Sequence, residues 1–248
     1  MIEARHLSKF FGDNKVLDDV SFVFEQGKTN LIIGQSGSGK TVLMKSLVGL
    51  LEPDEGEVIY DDRNFCLMGI NERRKLQQEI GMLFQGGALF DSLSVEQNVM
   101  FPLNLFTKSI PAEKLDRVNF CLERVNLEGR NKLMPSELSG GMIKRVAIAR
   151  AIALNPRYLF CDEPNSGLDP ITSGVIDELI KEITEEFNIT TVVNTHDMNS
   201  VLTTGEKIAF IHDGKIWWSG TRNEILTTDN QVLNDFIFAI ELTRRLKR

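Results

Sequence analysis

Apolar residues never run long in this chain. In 248 residues there is no unbroken apolar stretch of roughly 18, the length at which a helix crosses a bilayer. No membrane-spanning helix is expected, so work on a membrane would need another chain to supply the span. Cysteine is scarce: Cys66, Cys121 and Cys161 are the only three. An odd number excludes a complete internal set of disulfides, and the spacing fits no metal-binding pattern. Cys161 lies inside an apolar run and reads as core, and a reducing cytosol fits. The opening Met1-Ile2-Glu3-Ala4-Arg5 lacks the charged-then-apolar pattern of a secretory signal. Positive charge is in the minority, with 28 Lys and Arg against 35 Asp and Glu, a net charge of −7. That argues against broad nucleic-acid binding, which depends on neutralising phosphates. Repeats and low-complexity segments are also missing.

What is present is an ordinary globular composition, 42% apolar and 25% charged. The length suits one large α/β domain, or one domain carrying a subdomain. Residues 2–7 and 20–24 read as strands joined by a loop that contains Phe10-Phe11-Gly12. The apolar run 29–33 is of the buried-strand type and leads straight into a Gly-rich loop. Helical spacing follows at Val42, Leu43, Leu47, Leu50 and Leu51, and Pro53 is expected to end that helix. Residues 56–60 and 80–84 are further strands. From about 92 to 135 the pattern is mostly helical, punctuated by Pro102, Pro111 and Pro135, and reads as an inserted helical subdomain. A long helix is expected over 139–154. Strand 158–161, helix 170–186, strand 189–194, helix 197–203 and strands 206–212 and 214–218 follow. Strand alternating with helix predicts a mainly parallel sheet. The pair Trp217-Trp218 lies in the last strand, one expected inside and one outside.

Gly34-Gln35-Ser36-Gly37-Ser38-Gly39-Lys40-Thr41 fits the phosphate-loop pattern in full, with a strand before it and a helix after. The glycines let successive N–H groups curl towards an anion, and the helix N-terminus adds its positive end. Lys40 is expected to reach the β- and γ-phosphates, and the Thr41 hydroxyl to ligate Mg²⁺. The apolar run at 158–161 ends in Asp162-Glu163. Strand carboxyl ends are where ligands bind in open α/β sheets. Asp162 is placed to hold Mg²⁺, and Glu163 to take a proton from an attacking water. His196 follows another apolar strand at the same sheet edge, placed for the γ-phosphate. Gln85 closes the 80–84 strand near Mg²⁺ and water.

With these motifs in order, the chain resembles the ATPase subunits of ABC transporters along its whole length. Gly34–Thr41 matches Walker A, and Val42 follows it in the nucleotide-binding set. Leu138-Ser139-Gly140-Gly141-Met142 matches the signature, with Met142 where Gln is usual. Tyr158–Pro164 matches Walker B with its glutamate. Ser166-Gly167-Leu168-Asp169 matches the D-loop, Gln85 the Q-loop glutamine and His196 the switch histidine. Phe11 occupies the adenine-stacking aromatic position, with Phe10 the alternative. The resemblance implies an α/β P-loop fold of ABC type: a mainly parallel sheet, an antiparallel β subdomain and an inserted helical subdomain, all in one domain over 1–248. It implies ATP and Mg²⁺ as cofactors. It also implies a head-to-tail homodimer in which one copy's Walker A and the other's Ser139, Gly140 and Gly141 sandwich each ATP, with Asp169 nearby.

The stretches 81–91, 133–142, 149–154 and 167–172 are similar to the ATPases of Mla-type, Mce-associated lipid transporters. That similarity implies an MlaE-like integral-membrane permease, an MlaD-like Mce-domain lipid-binding protein and a possible small accessory subunit. The substrate would be a phospholipid or similar lipid moved between bacterial membranes, and no nucleic acid is involved. The place would be the cytoplasmic face of the inner membrane, held peripherally. Phe90, Val99, Phe101, Pro102 and Leu103 are candidates for the permease-facing surface, or else subdomain core. The alternative is a soluble ABC ATPase of the iron–sulfur assembly type, acting on a protein scaffold without a permease. A chromosome-type ATPase would need a long coiled-coil insertion, and a ribosome-acting type two ATPase domains; neither is present. Residues 231–248 form an amphipathic C-terminal helix with a basic end. It packs on its own domain, docks on a second ATPase or accessory subunit, or touches the membrane surface.

Overall fold

A computed structural model describes residues 1–246 as backbone, with side chains described as far as Phe238. Two sheets form the frame. Strands β1 (Ile2–Phe11) and β2 (Asn14–Phe24) make an antiparallel hairpin. β4 (Glu55–Tyr60) and the two-residue β5 (Arg63–Asn64) extend it in the order β2-β1-β4-β5. The second sheet contains β3 (Thr29–Ile33), β6 (Ile80–Leu83), β7 (Tyr158–Asp162), β8 (Thr190–Asn194), β9 (Lys207–His212) and β10 (Lys215–Gly220). Its order is β10-β9-β3-β8-β7-β6, parallel throughout except for β10 at the edge. Both β3 and β8 are buried along their whole length, as central strands of a parallel sheet covered on both faces should be.

Two apolar cores lie on opposite faces of this sheet, and β7 shows why. Tyr158 and Phe160 point to one side and Leu159 and Cys161 to the other, the two-residue alternation of a strand. On the first side, α1 (Lys40–Leu47) packs Leu43, Met44 and Leu47 between the two sheets with Phe24 and Tyr60. On the second side lie α5 (Gly140–Ile152), α6 (Pro170–Glu186) and α7 (Met198–Thr204). Helices α3 (Val95–Phe106) and α4 (Pro111–Arg124) share that second core through Val95, Val99, Leu103, Val118 and Leu122.

Four expectations about elements need correction. The predicted loop around Phe10-Phe11 is strand: Phe10 pairs with Lys15 and Phe11 with Asn14, leaving Gly12 and Asp13 as the turn. Helix α1 stops at Leu47, well before Pro53, where Val48 and a left-handed Gly49 end it. A helix α2 (Ile70–Gln78) lies between the strands expected at 56–60 and 80–84, where no element is expected; Leu76 is its one buried residue. Pro102 sits inside α3 rather than ending it. Packing of Val95, Val99 and Leu103 on the core outweighs the backbone hydrogen bond that proline removes.

The last helix, α8 (Gln231–Leu246), packs Leu233 and Phe236 into the second core, with the Phe236 ring 5.3 Å from that of Phe210. Its start is therefore held by its own chain. The basic end at 244–248 lies outside the residues whose side chains are described. Trp217 is exposed and Trp218 packs on the core, one out and one in. Among the described residues no helix is long and apolar enough to cross a membrane.

Candidate active site

The site is built where β3, β6, β7 and β8 end. At the end of β3 the chain turns through Gly34–Gly39 into α1. Two of those glycines are obligatory. A Cβ on Gly34, at φ +152°, would stand 2.3 Å from the Ile211 carbonyl oxygen; one on Gly39, at φ +106°, would meet the Val16 carbonyl at 2.9 Å. The N-terminus of α1 has no side-chain cap, and the Ser38 hydroxyl is buried without a partner. Uncapped N–H groups at a helix N-terminus and an unused hydroxyl fit an anionic phosphate chain. Lys40 lies buried among them and donates to the Gly34 carbonyl at 3.0 Å and the Gln35 carbonyl at 2.8 Å. Burial lowers the Lys40 pKa, opposed by the charges of Glu163 and Asp162.

Strand β7 delivers Asp162 and β8 delivers Asn194, paired in register. The Asn194 amide donates to Asp162 Oδ1 at 2.6 Å and to the Thr41 hydroxyl at 3.4 Å, while its own Oδ1 is buried and unpartnered. Two oxygen donors, one a carboxylate, converge on one point. That donor set fits Mg²⁺, which prefers oxygen and is held by few protein ligands plus phosphate.

Glu163 follows in a left-handed conformation, φ +45°, rare for a residue with a side chain. Its N–H donates to the Asn194 carbonyl at 2.9 Å. Its carboxylate is 3.0 Å from His196 Nδ1 and 3.5 Å from the Gln85 amide, which also donates to Ser166 Oγ at 3.2 Å. Glu163, His196 and Gln85, far apart in sequence, therefore meet at one point. Glu163, Asn165, Ser166 and His196 line a cavity of about 290 Å³ beside it.

The other expected site residues lie elsewhere. Ser139 caps α5, accepting from the Met142 N–H at 3.3 Å. Gly141 packs so closely on α6 that a Cβ would come within 2.5 Å of Thr172 Cγ2, and Gly140 faces Leu168. Asp169 is the cap of α6, bound to the N–H groups of Ile171 and Thr172 at 3.0 Å each. These contacts are within the chain, and none reaches Lys40 or Gly34–Gly39. Phe11 ends β1 and is 49% exposed, whereas Phe10 is half-buried. The Val16–Leu17 segment of the next strand lies against Gly39, which sets this hairpin beside the phosphate loop.

The ABC transporter family model matches residues 17–166. This chain belongs to that family. The ABC ATPase is 39% identical over 238 residues to the intermembrane phospholipid transport system ATP-binding protein MlaF of Haemophilus influenzae, covering 96% of this chain and 90% of that one. The Escherichia coli K12 MlaF is 38% identical over 241 residues, with 97% and 89% covered. A probable ribonucleotide transport ATP-binding protein, mkl of Mycobacterium leprae, is 36% identical, with 95% and 68% covered. Among solved structures, the dimeric post-hydrolysis state of the cassette MJ0796 bound to ADP and Pi superimposes with a TM-score of 0.81 at 33% identity, covering 90% and 99%. The CbiO1 cassette of Clostridium perfringens gives 0.85 at 26%, covering 100% and 98%. The expected fold class therefore stands, as does an ATPase that uses ATP and Mg²⁺.

Three polar residues of this ABC ATPase were not among the expected site residues. Asn194 ends an apolar strand, so the same strand-end rule that selects Asp162 would have found it. Lys144 is buried on α5 and donates to the Gln85 carbonyl; burial lowers its pKa against the pull of Cys161, Glu163 and Asp162. Asn165 is buried two residues past Glu163. No local pattern marks these last two. Of the candidate surface residues, Phe90, Phe101 and Pro102 line an open groove of about 470 Å³ with Phe84, Leu105 and Phe106. Val99 and Leu103 do not; both are core.

Proposed function

We propose that this chain is the ATP-hydrolysing subunit of a bacterial phospholipid transporter. It folds as one ATPase unit, with 92–135 as its helical part. Lys40 and the N–H groups of Gly34–Val42 hold the phosphates. Thr41 and Asp162 hold Mg²⁺, with Gln85 reaching it, and Mg²⁺ supplies charge neutralisation on the transferred phosphoryl group. Glu163 takes the proton of the attacking water, and His196, beside it, contacts the γ-phosphate. Phe11 stacks on adenine, its ring being the open one of the pair.

Ser139, Gly140 and Gly141 serve the nucleotide of a second copy in a head-to-tail dimer, with Asp169 at that interface. Their place at the start of α5, away from Lys40, is what a shared site requires. ATP then favours the closed dimer, because it binds that state more tightly. The groove lined by Phe84, Phe90 and Phe101 receives an MlaE-like permease. An MlaD-like Mce-domain protein and a small accessory subunit complete the assembly, held at the cytoplasmic face of the inner membrane. Likeness to the two MlaF proteins over nearly the whole chain supports the lipid reading.

The observation that carries the catalytic part is the 3.0 Å contact of Glu163 with His196 at the strand ends. Glu163→Gln tests it. ATP binding should persist, turnover should fall about a hundredfold or more as general-base catalysis is lost, and the dimer should accumulate closed. Turnover near wild type would remove Glu163 from this role. Co-purification from native membranes in mild detergent tests the partners: a multi-span permease with an Mce-domain protein and phospholipid is expected. Recovery of soluble scaffold proteins alone would overturn the transporter reading.

A further inference from the structure

Next to the Glu163–His196 pair lies a closed ring of three buried polar side chains. Asn165 is on the turn after β7, Asp177 on α6 and Ser200 on α7. The Asn165 amide donates to Asp177 Oδ1 at 2.7 Å and to Ser200 Oγ at 2.9 Å, and Ser200 Oγ donates to Asp177 Oδ2 at 2.7 Å. Asn165 is 9% exposed, Asp177 8% and Ser200 1%. Both carboxylate oxygens accept, and both amide hydrogens are given. Among the described residues Asp177 has no ion pair. Burial raises its pKa, relieved by the Ser200 and Asn165 donors and added to by the charge of Asp197.

Such a group is a poor device for stability alone. A buried carboxylate costs desolvation, and well-packed apolar side chains often do as well or better. Its placement offers another reason. The ring joins the three segments that surround the catalytic pair. The turn 163–168 carries Glu163, and Ser166, which accepts from Gln85. Helix α6 begins at the Asp169 cap. Helix α7 begins at Met198, two residues past His196. Asn165 also lines the cavity that Glu163 and His196 share, and its backbone carbonyl closes the turn by accepting from Leu168 N–H at 3.1 Å. The strained Glu163 backbone persists only if its surroundings over-determine it. The Asn194 carbonyl holds it from the β8 side, and the ring holds the turn from the helix side.

We propose that the Asn165–Asp177–Ser200 ring is a positioning device for hydrolysis, holding the Glu163 turn and α7 in one register so that Glu163 and His196 stay in contact. This rests on the reading of Glu163 as proton acceptor. The ring touches neither Lys40 nor the phosphate loop, so it acts on turnover and leaves ATP affinity alone.

The test is steady-state ATP hydrolysis by the full chain, measured against ATP concentration, for Asp177→Leu, Asp177→Asn, Ser200→Ala and, in parallel, Glu163→Gln, with a melting curve for each. Asp177→Leu should lower kcat about tenfold, equal to about 1.4 kcal/mol in the barrier, with KM for ATP within about twofold. Asp177→Asn keeps an acceptor for Asn165 and can donate to Ser200, so it should recover most of kcat. A folded Asp177→Leu protein with wild-type kcat, or one whose KM rises while kcat holds, overturns the inference. Should Asp177→Leu fail to fold, Ser200→Ala decides by the same split, since it removes one hydroxyl, with its bonds to Asp177 and Asn165, and leaves the carboxylate and the amide paired with each other. Glu163→Gln separates the two claims. If it still turns over, the proton-acceptor reading fails; if it is inactive while the ring variants hydrolyse normally, the ring inference fails alone.

Discussion

Gly81→Ala isolates a close approach between the sheet and the signature helix. Gly81 is buried on β6, the outer strand of the six-stranded sheet, and pairs only with β7. A Cβ there would lie 2.4 Å from the Ala151 carbonyl oxygen, 3.1 Å from its carbon and 3.3 Å from Leu159 Cδ1. Ordinary contact between such atoms is roughly 3.5 Å, so something must move by about 1 Å. The obstacle is backbone in the last turns of α5, which cannot rotate away as a side chain can. Overpacking of this kind costs about 1–3 kcal/mol, and a backbone obstacle places it in the upper half. For a chain of this size that predicts a melting midpoint lower by roughly 4–12 °C. Gly86→Ala is the control: it is exposed, its φ is not positive and nothing lies within 4 Å of its Cβ. It should be neutral, or gain up to about 1 kcal/mol from a stiffer unfolded chain. Thermal unfolding by circular dichroism or calorimetry without nucleotide measures both. A Gly81→Ala midpoint within about 1 °C of wild type would refute the reasoning, as would an equal loss in Gly86→Ala.

Three further outcomes are expected. Hydrogen bonds from Lys207 at 2.7 Å and Lys28 at 2.6 Å pull the Glu25 carboxyl down from 4.5 to about 2. Its stabilisation is complete above pH 4.5 and disappears as pH falls towards 2; with the side chain 38% exposed, screening limits it to about 1 kcal/mol. Glu25→Gln should therefore be less stable than wild type at neutral pH, with the gap closing in acid; a pH-independent gap in denaturant titrations would contradict this. Among the thiols, Cys66 is half-buried, burial pushes Cys121 up to about 11 and Cys161 higher still. A thiol reagent should label Cys66 quickly in the native chain and all three only on unfolding; rapid native labelling of Cys161 would be wrong for this fold. Asn30, fully buried, accepts from the Glu25 N–H at 2.8 Å and donates to the carbonyls of Glu25, Lys28 and Thr191 at 3.0 Å each. Asn30→Leu leaves several backbone groups unpaired and should cost about 3 kcal/mol by denaturant titration; a loss under about 1 kcal/mol would refute that.

What the sequence determined by itself is local. Short apolar runs ending in Gly34, Asp162 and His196 place strand ends, and a phosphate loop needs only Gly, Lys and Thr at fixed spacing, so both are visible without a fold. The parallel sheet, α5, α6 and the phosphate loop were therefore legible. Helix α2 was not: one buried residue, Leu76, makes no periodic stripe, and the helix forms because Leu76 packs on the core. The hairpin crosses Phe10-Phe11 because cross-strand pairing overrides local turn preference. Pro102 stays inside α3 because a shared core holds both sides of it. The site divides in the same way. The phosphate-loop pattern named Lys40, and residue types at strand ends named Asp162, Glu163 and His196. Only the tertiary structure brought Gln85 to Glu163 across 78 residues, or closed Asn165, Asp177 and Ser200 into a ring. Buried polar contacts depend on which strands and helices become neighbours, and no single segment of the chain carries that information.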